Sequence, residues 1–147
     1  MRRSPNSTVP VTIQWKPDCP AEQIQSLDHL LARVSEIEAE TTEDSALGMS
    51  LCHESGAEIT AYVSRGRWWF MWTPEDYSER GLGSYHSTAC AELTSQPAQK
   101  DLLACYLLGS HGEVDLREAT DTQSARAALS QFYSSPALPN ALSWALD

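Results

Sequence analysis

The amino-acid sequence predicts an α+β fold, with a mainly antiparallel sheet of about five to six strands and two helices packed on it. Short runs of alternating apolar and polar residues, joined by tight turns, predict sequential strands. Two further segments carry an apolar stripe at helical spacing. The chain has 147 residues, the size of one ordinary domain, and we expect residues 1–147 to form a single domain.

The chain opens with a predicted strand and a predicted helix. Apolar residues alternate from Val9 to Trp15, and the proline within this run suits a strand at a sheet edge. Pro20 predicts the start of the helix, because proline in the first turn loses no hydrogen bond. The apolar stripe runs from Ile24 to Ile37, so we expect one face of this helix to cover the core.

Three alternating runs between residues 47 and 73 predict an antiparallel meander with two tight turns. Pro74 ends the third run, because proline cannot donate to the ladder. Large apolar residues fill this run from Trp68 to Trp72, so aromatic side chains point to both faces of the strand. We expect the first helix to cover one face of this strand. For the other face we expect the second helix as the cover, and a loop or a partner is the alternative.

The second half of the chain predicts a long loop, two strands and a helix. Residues 74–101 are polar and weakly periodic, which is typical of a functional loop, with a short strand at 85–87. Residues 102–108 are apolar on both faces and predict a central strand, and 113–116 predict an edge-like segment. A capping-box pattern beginning at Thr120 predicts the second helix. Its apolar stripe consists of Ala125, Ala128, Leu129 and Phe132.

The charge of the chain constrains its partners. Twenty acidic residues against ten basic ones give a formal net charge of −10. This argues against a nucleic-acid binder, whose phosphate contacts need clustered lysine and arginine. A macromolecular partner would be basic, and the alternative is that the acidity only keeps the protein in solution.

The sequence also predicts the cellular compartment of the protein. No apolar run reaches the roughly 20 residues of a bilayer span, so we expect no membrane partner. The basic start Met1-Arg2-Arg3 precedes polar residues instead of an apolar segment, and four cysteines without a disulfide framework suit a reducing compartment. We therefore expect a cytoplasmic protein.

The sequence contains none of the common catalytic or metal-binding motifs. It has no phosphate-binding loop, no dinucleotide glycine pattern and no nucleophile elbow. His86 and Cys90 leave a zinc site two ligands short. Their spacing also permits a cysteine nucleophile with a histidine base, but no third group nearby in the sequence would orient the histidine. We expect a protein without catalytic residues, metal or cofactor.

The C-terminal third of the sequence carries a family pattern. A strand ending near Gly109 leads through an acidic connection to the capped helix with its alanines and Phe132, and then to Pro139-x-x-Leu142-x-Trp144. This arrangement resembles the Imm1 family of bacterial immunity proteins, and the order of the upstream elements is similar as well. The resemblance spans nearly the whole chain, its sharpest motif covers the final ~25 residues, and residues 74–101 have no counterpart in it.

The resemblance implies a non-catalytic protein that neutralises a toxin encoded beside it, mainly a nucleic-acid deaminase with a basic surface. An acidic binder would occupy that surface in competition with substrate. We expect the toxin-binding residues to be Glu75, Asp76, Tyr77 and Glu79 after the third strand, with Glu113 and Asp115 as a second patch. Ala128, Phe132 and Trp144 are assigned to the fold, and Trp144 is expected to close the core edge rather than contact a partner.

Two other function classes stay open at this point. One is a small enzyme using His86 and Cys90, or a pair of carboxylates. Loss of activity in His86→Ala with an intact fold would favour it. The other is a generic adaptor or oligomer subunit that uses the aromatic third strand, and the size-exclusion mass of the isolated chain would reveal an oligomer.

Overall fold

A mostly antiparallel sheet with two helices on one face confirms the predicted α+β class. The computed structural model describes residues 11–74, 85–88 and 102–146. The helices in these ranges are α1 (Leu27–Ala39) and α2 (Thr122–Ser134), and a 3₁₀ turn spans Leu116–Glu118. The strands are β1 (Val11–Gln14), β2 (Glu22–Gln23), β3 (Ser45–His53), β4 (Glu58–Ser64), β5 (Arg67–Thr73), β6 (Tyr85–Thr88), β7 (Leu102–Leu107), β8 (Ser110–Asp115), β9 (Thr120–Asp121) and β10 (Ser143–Leu146).

The sheet runs in the order β10-β6-β5-β4-β3-β1-β2, with antiparallel neighbours throughout this path. β3 divides one of its edges between two partners. Ser50–His53 pair with β1, whereas Ser45–Leu47 pair in parallel with β7, which in turn pairs with β8. The predicted strand number was lower because sequence patterns do not reveal the two-residue strands β2 and β9 or the tail strand β10.

Both helices pack on the same face of the sheet and enclose the main core. The strands present alternate residues to this face, and Trp68 and Phe70 of β5 are both almost completely buried there. Alanines at the start of α2 let the helix lie close to the sheet. The buried helix residues are Leu30, Val34 and Ile37 of α1 and Ala125, Ala128, Leu129, Phe132 and Tyr133 of α2.

The first helix begins later than predicted. Pro20 does not open it; instead Ser26 is the N-cap, and its hydroxyl accepts a hydrogen bond from the His29 amide at 3.0 Å. Ile24 reaches the core from extended chain, with its amide donating to the Val11 carbonyl at 2.9 Å. The pairing of β2 with β1 also means that β1 is not the edge strand that the sequence predicted.

The second helix does not cover the opposite face of β5, contrary to expectation. Its first residue, Thr122, accepts a hydrogen bond from the Trp68 indole Nε1 at 3.3 Å, which places α2 on the Trp68 face. The helix is capped by Asp121, whose Oδ1 accepts from the Ser124 amide at 2.7 Å, and not by Thr120. Thr120 instead lies in β9 and donates its hydroxyl to the Trp68 carbonyl.

The β7–β8 hairpin covers the other face of β5. Trp69 is 4% exposed there and forms a second cluster with Ala46, Leu103 and Cys105. β7 has a strand on each side, as predicted for a central strand. Only one of its faces is buried, however, since Leu102 on the other face is 48% exposed.

Trp144 ties the tail to the sheet, as the sequence predicted. It lies in β10, packs against the main core and donates its indole Nε1 to the Pro139 carbonyl at 2.6 Å. We expect Trp144→Ala to lower the free energy of unfolding by about 1–2 kcal/mol, because a half-buried aromatic side chain and its hydrogen bond are lost. Thermal unfolding measures this, and an unchanged melting temperature would contradict the assignment.

A carboxylate between β2 and α1 makes stability depend on pH. Glu22 accepts hydrogen bonds from Arg33 at 2.7 and 3.0 Å and lies 3.3 Å from His29. The hydrogen bonds from Arg33, aided by its charge and by His29, lower the pKa of Glu22 below its ordinary value of 4.5 despite the opposing effect of burial.

Since the folded chain holds this pKa below its unfolded value, the stabilisation is present above pH 4.5 and disappears as the pH falls through the folded value. We expect the free energy of unfolding of Glu22→Gln to fall less between neutral and acidic pH than that of the parent protein. Urea unfolding at the two pH values measures both differences. Glu40→Gln is the matched control, because Glu40 is exposed at the end of α1. Equal acid sensitivity of the Glu22 variant and the parent would contradict this prediction.

Candidate functional site

A cleft of about 410 Å³ lies between the β7–β8 hairpin and the second face of the sheet. The hairpin is attached to β3 at one end, so β8 and the 3₁₀ turn lie over β4, β5 and β6. The Trp69 indole Nε1 donates to the Asp115 carbonyl at 2.8 Å and so links β5 to the end of β8. The described residues that line the cleft are Tyr62, Trp69, Phe70, Met71, His86, Ser87, Leu102, Cys105, Gly112, Glu113, Val114, Asp115, Arg117 and Glu118.

Two of the apolar side chains that line the cleft are accessible to solvent. Met71 of β5 is 38% exposed and Leu102 of β7 is 48% exposed, whereas Trp69, two residues before Met71 in β5, is buried. Of the three large apolar side chains exposed in the described ranges, these two line the cleft, and Tyr106 is the third. An exposed apolar surface next to a concavity is typical of a binding site.

Acidic side chains from β8 and the 3₁₀ turn also line the cleft. Glu113 is exposed on β8 and forms no ion pair with another described residue. Asp115 holds Arg117 through two close contacts, with Nη2 at 2.8 Å and Nε at 3.1 Å. Glu118 lies 3.7 Å from the His86 Nε2. The hydrogen bonds that Arg117 donates to Asp115 raise the pKa of Arg117 above its already high value, so this guanidinium stays charged.

Two weakly acidic groups lie at the base of the cleft. Burial raises the pKa of the Cys105 thiol, and the nearby Glu113 carboxylate adds to the effect, although a backbone hydrogen bond from Gly112 opposes it. Burial also raises the pKa of the Tyr62 hydroxyl. Both groups therefore remain protonated near neutral pH, and neither is activated as a nucleophile.

A hydroxyl at the rear of the cleft has a structural role. Ser87 of β6 is 2% exposed, and its Oγ accepts a hydrogen bond from the buried Phe70 amide at 2.9 Å. β5 and β6 pair at two positions, Met71 with His86 and Trp72 with Tyr85, and these do not include Phe70. The Ser87 hydroxyl therefore supplies the acceptor that the Phe70 amide needs. Ser87 thus keeps β6, and with it His86, beside the cleft.

The structure brings together only part of the predicted site. Glu113 and Asp115 both line the cleft from β8, while Glu75, Asp76, Tyr77 and Glu79 lie outside the described residues, so their predicted role remains a prediction. Cys90 also lies outside the described ranges. The predicted strand at 85–87 exists as β6 and carries His86 to the cleft.

The sequence did not indicate that Trp69, Met71, Leu102 and Glu118 would line one cleft. The exposed faces of β5 and β7 gave a weak signal, since both strands carry large apolar residues on both sides. Nothing in the sequence indicated that β7 would pair in parallel with β3 and bring these faces together.

Within the described ranges, no group of three or more histidine, cysteine, aspartate or glutamate side chains is arranged to hold a metal ion. None of the helices in these ranges has the length and apolar character needed to cross a membrane. Comparison of the sequence with models of known protein families and with curated proteins gives no match.

Proposed function

We propose that this protein is an immunity protein: it binds a toxin encoded beside it, a nucleic-acid deaminase, and blocks the toxin's active site or substrate surface. The observation that carries the proposal is the net charge of −10 together with an acidic, partly apolar cleft. A deaminase that acts on nucleic acid holds its substrate on a basic surface. An acidic protein competes for that surface directly.

The distribution of charge in the described ranges supports this proposal. Arg33 is paired with Glu22 and Glu36, and Arg117 is paired with Asp115. These basic groups are therefore neutralised within the chain, and a basic partner meets the surplus of carboxylates. Opposite charge raises the rate of encounter, and exposed apolar side chains in the cleft supply contacts that slow dissociation.

Co-expression tests the proposal. Cells that produce the catalytic domain of the toxin encoded by the adjacent gene are expected to survive only when this protein is produced as well. The purified pair is expected to form a stable complex in which deamination of a nucleic-acid substrate is blocked. Equal killing with and without this protein, or deamination that continues in the complex, would overturn the proposal.

Charge reversal tests the steering step separately. We expect Glu113→Lys to slow association with the toxin by about two- to fivefold at low salt, with a smaller effect at high salt. Reversal of Glu75, Asp76 and Glu79 to lysine is expected to slow association as well. Glu40→Lys is the matched control, because Glu40 caps the end of α1, which packs on the opposite face of the sheet. Stopped-flow association rates give the comparison, and equal rates for Glu113→Lys and Glu40→Lys would exclude β8 from the interface.

A further inference from the structure

We propose that the free edge of β8 receives an extended segment of the toxin, which joins the sheet as an additional strand. This inference rests on the proposed function and identifies the surface through which the toxin is held. β8 is paired with β7 on one side, and no other described strand pairs with its second side. Strand addition to such an edge is a common way in which proteins bind extended segments.

The turn between β7 and β8 determines which backbone groups of β8 face this edge. Its two-residue loop, residues 108–109, has positive φ at both positions, 50° and 86°, as in a type I′ turn. The flanking pair, Leu107 with Ser110, is therefore hydrogen-bonded, and bonded pairs recur at every second residue along the hairpin. The amides and carbonyls of His111 and Glu113 consequently point away from β7.

A contact at the end of β8 agrees with this alternation. Asp115 follows Glu113 by two residues, so its carbonyl is expected to point away from β7 as well. This carbonyl accepts the hydrogen bond from the Trp69 indole Nε1 at 2.8 Å, and Trp69 lies outside the hairpin. The edge therefore takes a hydrogen bond from beyond the hairpin at Asp115, and His111 and Glu113 present the same backbone groups to a partner.

The cleft described above lies along this edge. Side chains of a strand alternate between its two faces, so a cavity on one face is lined by every second residue. Four consecutive residues of β8, from Gly112 to Asp115, line the cleft of about 410 Å³, which places it beside the edge of the strand. Space for a partner segment is thus present where the outward-facing backbone groups lie.

The side chains around the edge indicate which residues the added strand carries. A residue directly opposite Glu113 lies beside its exposed carboxylate, which favours lysine or arginine at that position. Residues on the other face of the added strand point towards β5, where Met71 is 38% exposed, and this favours apolar side chains. An extended segment with alternating basic and apolar residues is therefore the expected partner.

The charge of the chain disfavours a second copy of this protein at the edge. Each copy has a formal net charge of −10, and each β8 carries the carboxylates of Glu113 and Asp115. Like charges on neighbouring strands destabilise their pairing, whereas a basic toxin supplies the opposite charge. We therefore assign the edge to the toxin.

Amide hydrogen exchange followed by NMR tests whether the edge is open in the free protein. The amides of His111 and Glu113 are expected to exchange at least about tenfold faster than those of Gly112 and Val114, which face β7. Slow exchange at His111 and Glu113 would overturn the proposal. If it depended on protein concentration, a second copy would be the occupant, and if it did not, the chain itself would cover the edge.

A proline variant tests the backbone contact separately from the charge. Glu113→Pro removes the outward N–H without removing a hydrogen bond to β7, and we expect it to bind the toxin's catalytic domain at least about tenfold more weakly. Glu113→Gln, the control, keeps the N–H and is expected to weaken binding by only about two- to fivefold. Equal affinity of these two variants would overturn the proposal. Circular dichroism verifies the fold of each, and the exchange measurements decide if the proline variant is unfolded.

Exchange in the complex separates this inference from the proposed function. When the catalytic domain of the toxin is bound, the amides of His111 and Glu113 are expected to exchange at least about tenfold more slowly than in the free protein. If the protein neutralises the toxin and these amides stay unprotected, the edge assignment is wrong while the immunity function stands. If the protein does not neutralise the toxin, the proposed function fails, and the toxin is then wrong as the occupant of the edge.

Discussion

Replacing Trp68 by alanine is expected to lower the free energy of unfolding by about 4 kcal/mol, the largest effect of any single change proposed for this chain. Trp68 is completely buried and stacks on Phe70, with ring centroids 5.9 Å apart and planes inclined by 10°. Its indole also donates to Thr122, whose hydroxyl in turn donates to Glu38 at 3.3 Å. The substitution therefore leaves a cavity and removes the polar link from the sheet to both helices.

Urea unfolding followed by circular dichroism measures this effect. Trp68→Phe fills most of the space but lacks the indole N–H, so it is expected to lose much less stability than Trp68→Ala. Thr122→Val removes the hydroxyl and leaves the ring in place, which isolates the contribution of the hydrogen bond at about 1 kcal/mol. A loss below about 1 kcal/mol for Trp68→Ala would mean that the core is not organised around this side chain.

Replacing Gly48 by alanine is expected to destabilise the protein by about 2–3 kcal/mol, although alanine is a better residue for ordered structure. Gly48 lies in β3 where the end of β7 crosses close to it. A methyl group there would come within 2.8 Å of the Tyr62 ring, 2.9 Å of Leu107 Cβ and 3.0 Å of the Tyr106 carbonyl oxygen. The Tyr106 oxygen is a backbone atom and the Leu107 Cβ is bonded directly to the backbone, so the hairpin has to move for the methyl group to fit.

Gly112→Ala is the matched control for this experiment. It makes the same change on β8, but the added methyl group meets only the Cys105 Sγ, at 3.3 Å, and that thiol is able to shift slightly. We expect a loss below about 1 kcal/mol there. Urea unfolding of both variants compares the two positions. Equal stability of Gly48→Ala and Gly112→Ala would contradict the close approach of β7 to β3.

Local sequence patterns predicted the parts of the fold that depend on local interactions. The meander of β3, β4 and β5 follows from alternation and two tight turns, and α2 follows from a capped apolar stripe. The predicted start of α1 at Pro20 was wrong, because a proline is compatible with the first turn of a helix but does not require a helix. The contact that decides this point, the amide of Ile24 with the carbonyl of Val11, is between two segments and is invisible in either alone.

The candidate site was harder to predict because it depends on a pairing between distant segments. Alternation identified β7 and β8 as strands and placed Glu113 and Asp115 on one of them. It did not show that β7 would pair in parallel with β3, and this pairing brings the hairpin that carries the carboxylates to the cleft that Trp69 and Met71 also line. The sequence also predicted the wrong cover, α2 instead of the β7–β8 hairpin, for the face of β5 that carries Trp69. Amphipathic periodicity shows that a helix has an apolar face but not on which side of a sheet it packs.

The division of the β3 edge has a consequence for local opening. In the part of the chain that the structure describes, the backbone pairing of the β7–β8 hairpin with the strands beneath the helices consists of three register pairs, between Ser45–Leu47 and Ala104–Tyr106. The hairpin is therefore expected to open as a separate cooperative unit, with amide hydrogens that exchange with solvent sooner than those of β4. A partner that binds the hairpin would slow hydrogen exchange at these amides and leave exchange in the helices unchanged. Exchange rates in the hairpin would therefore report whether a partner is bound.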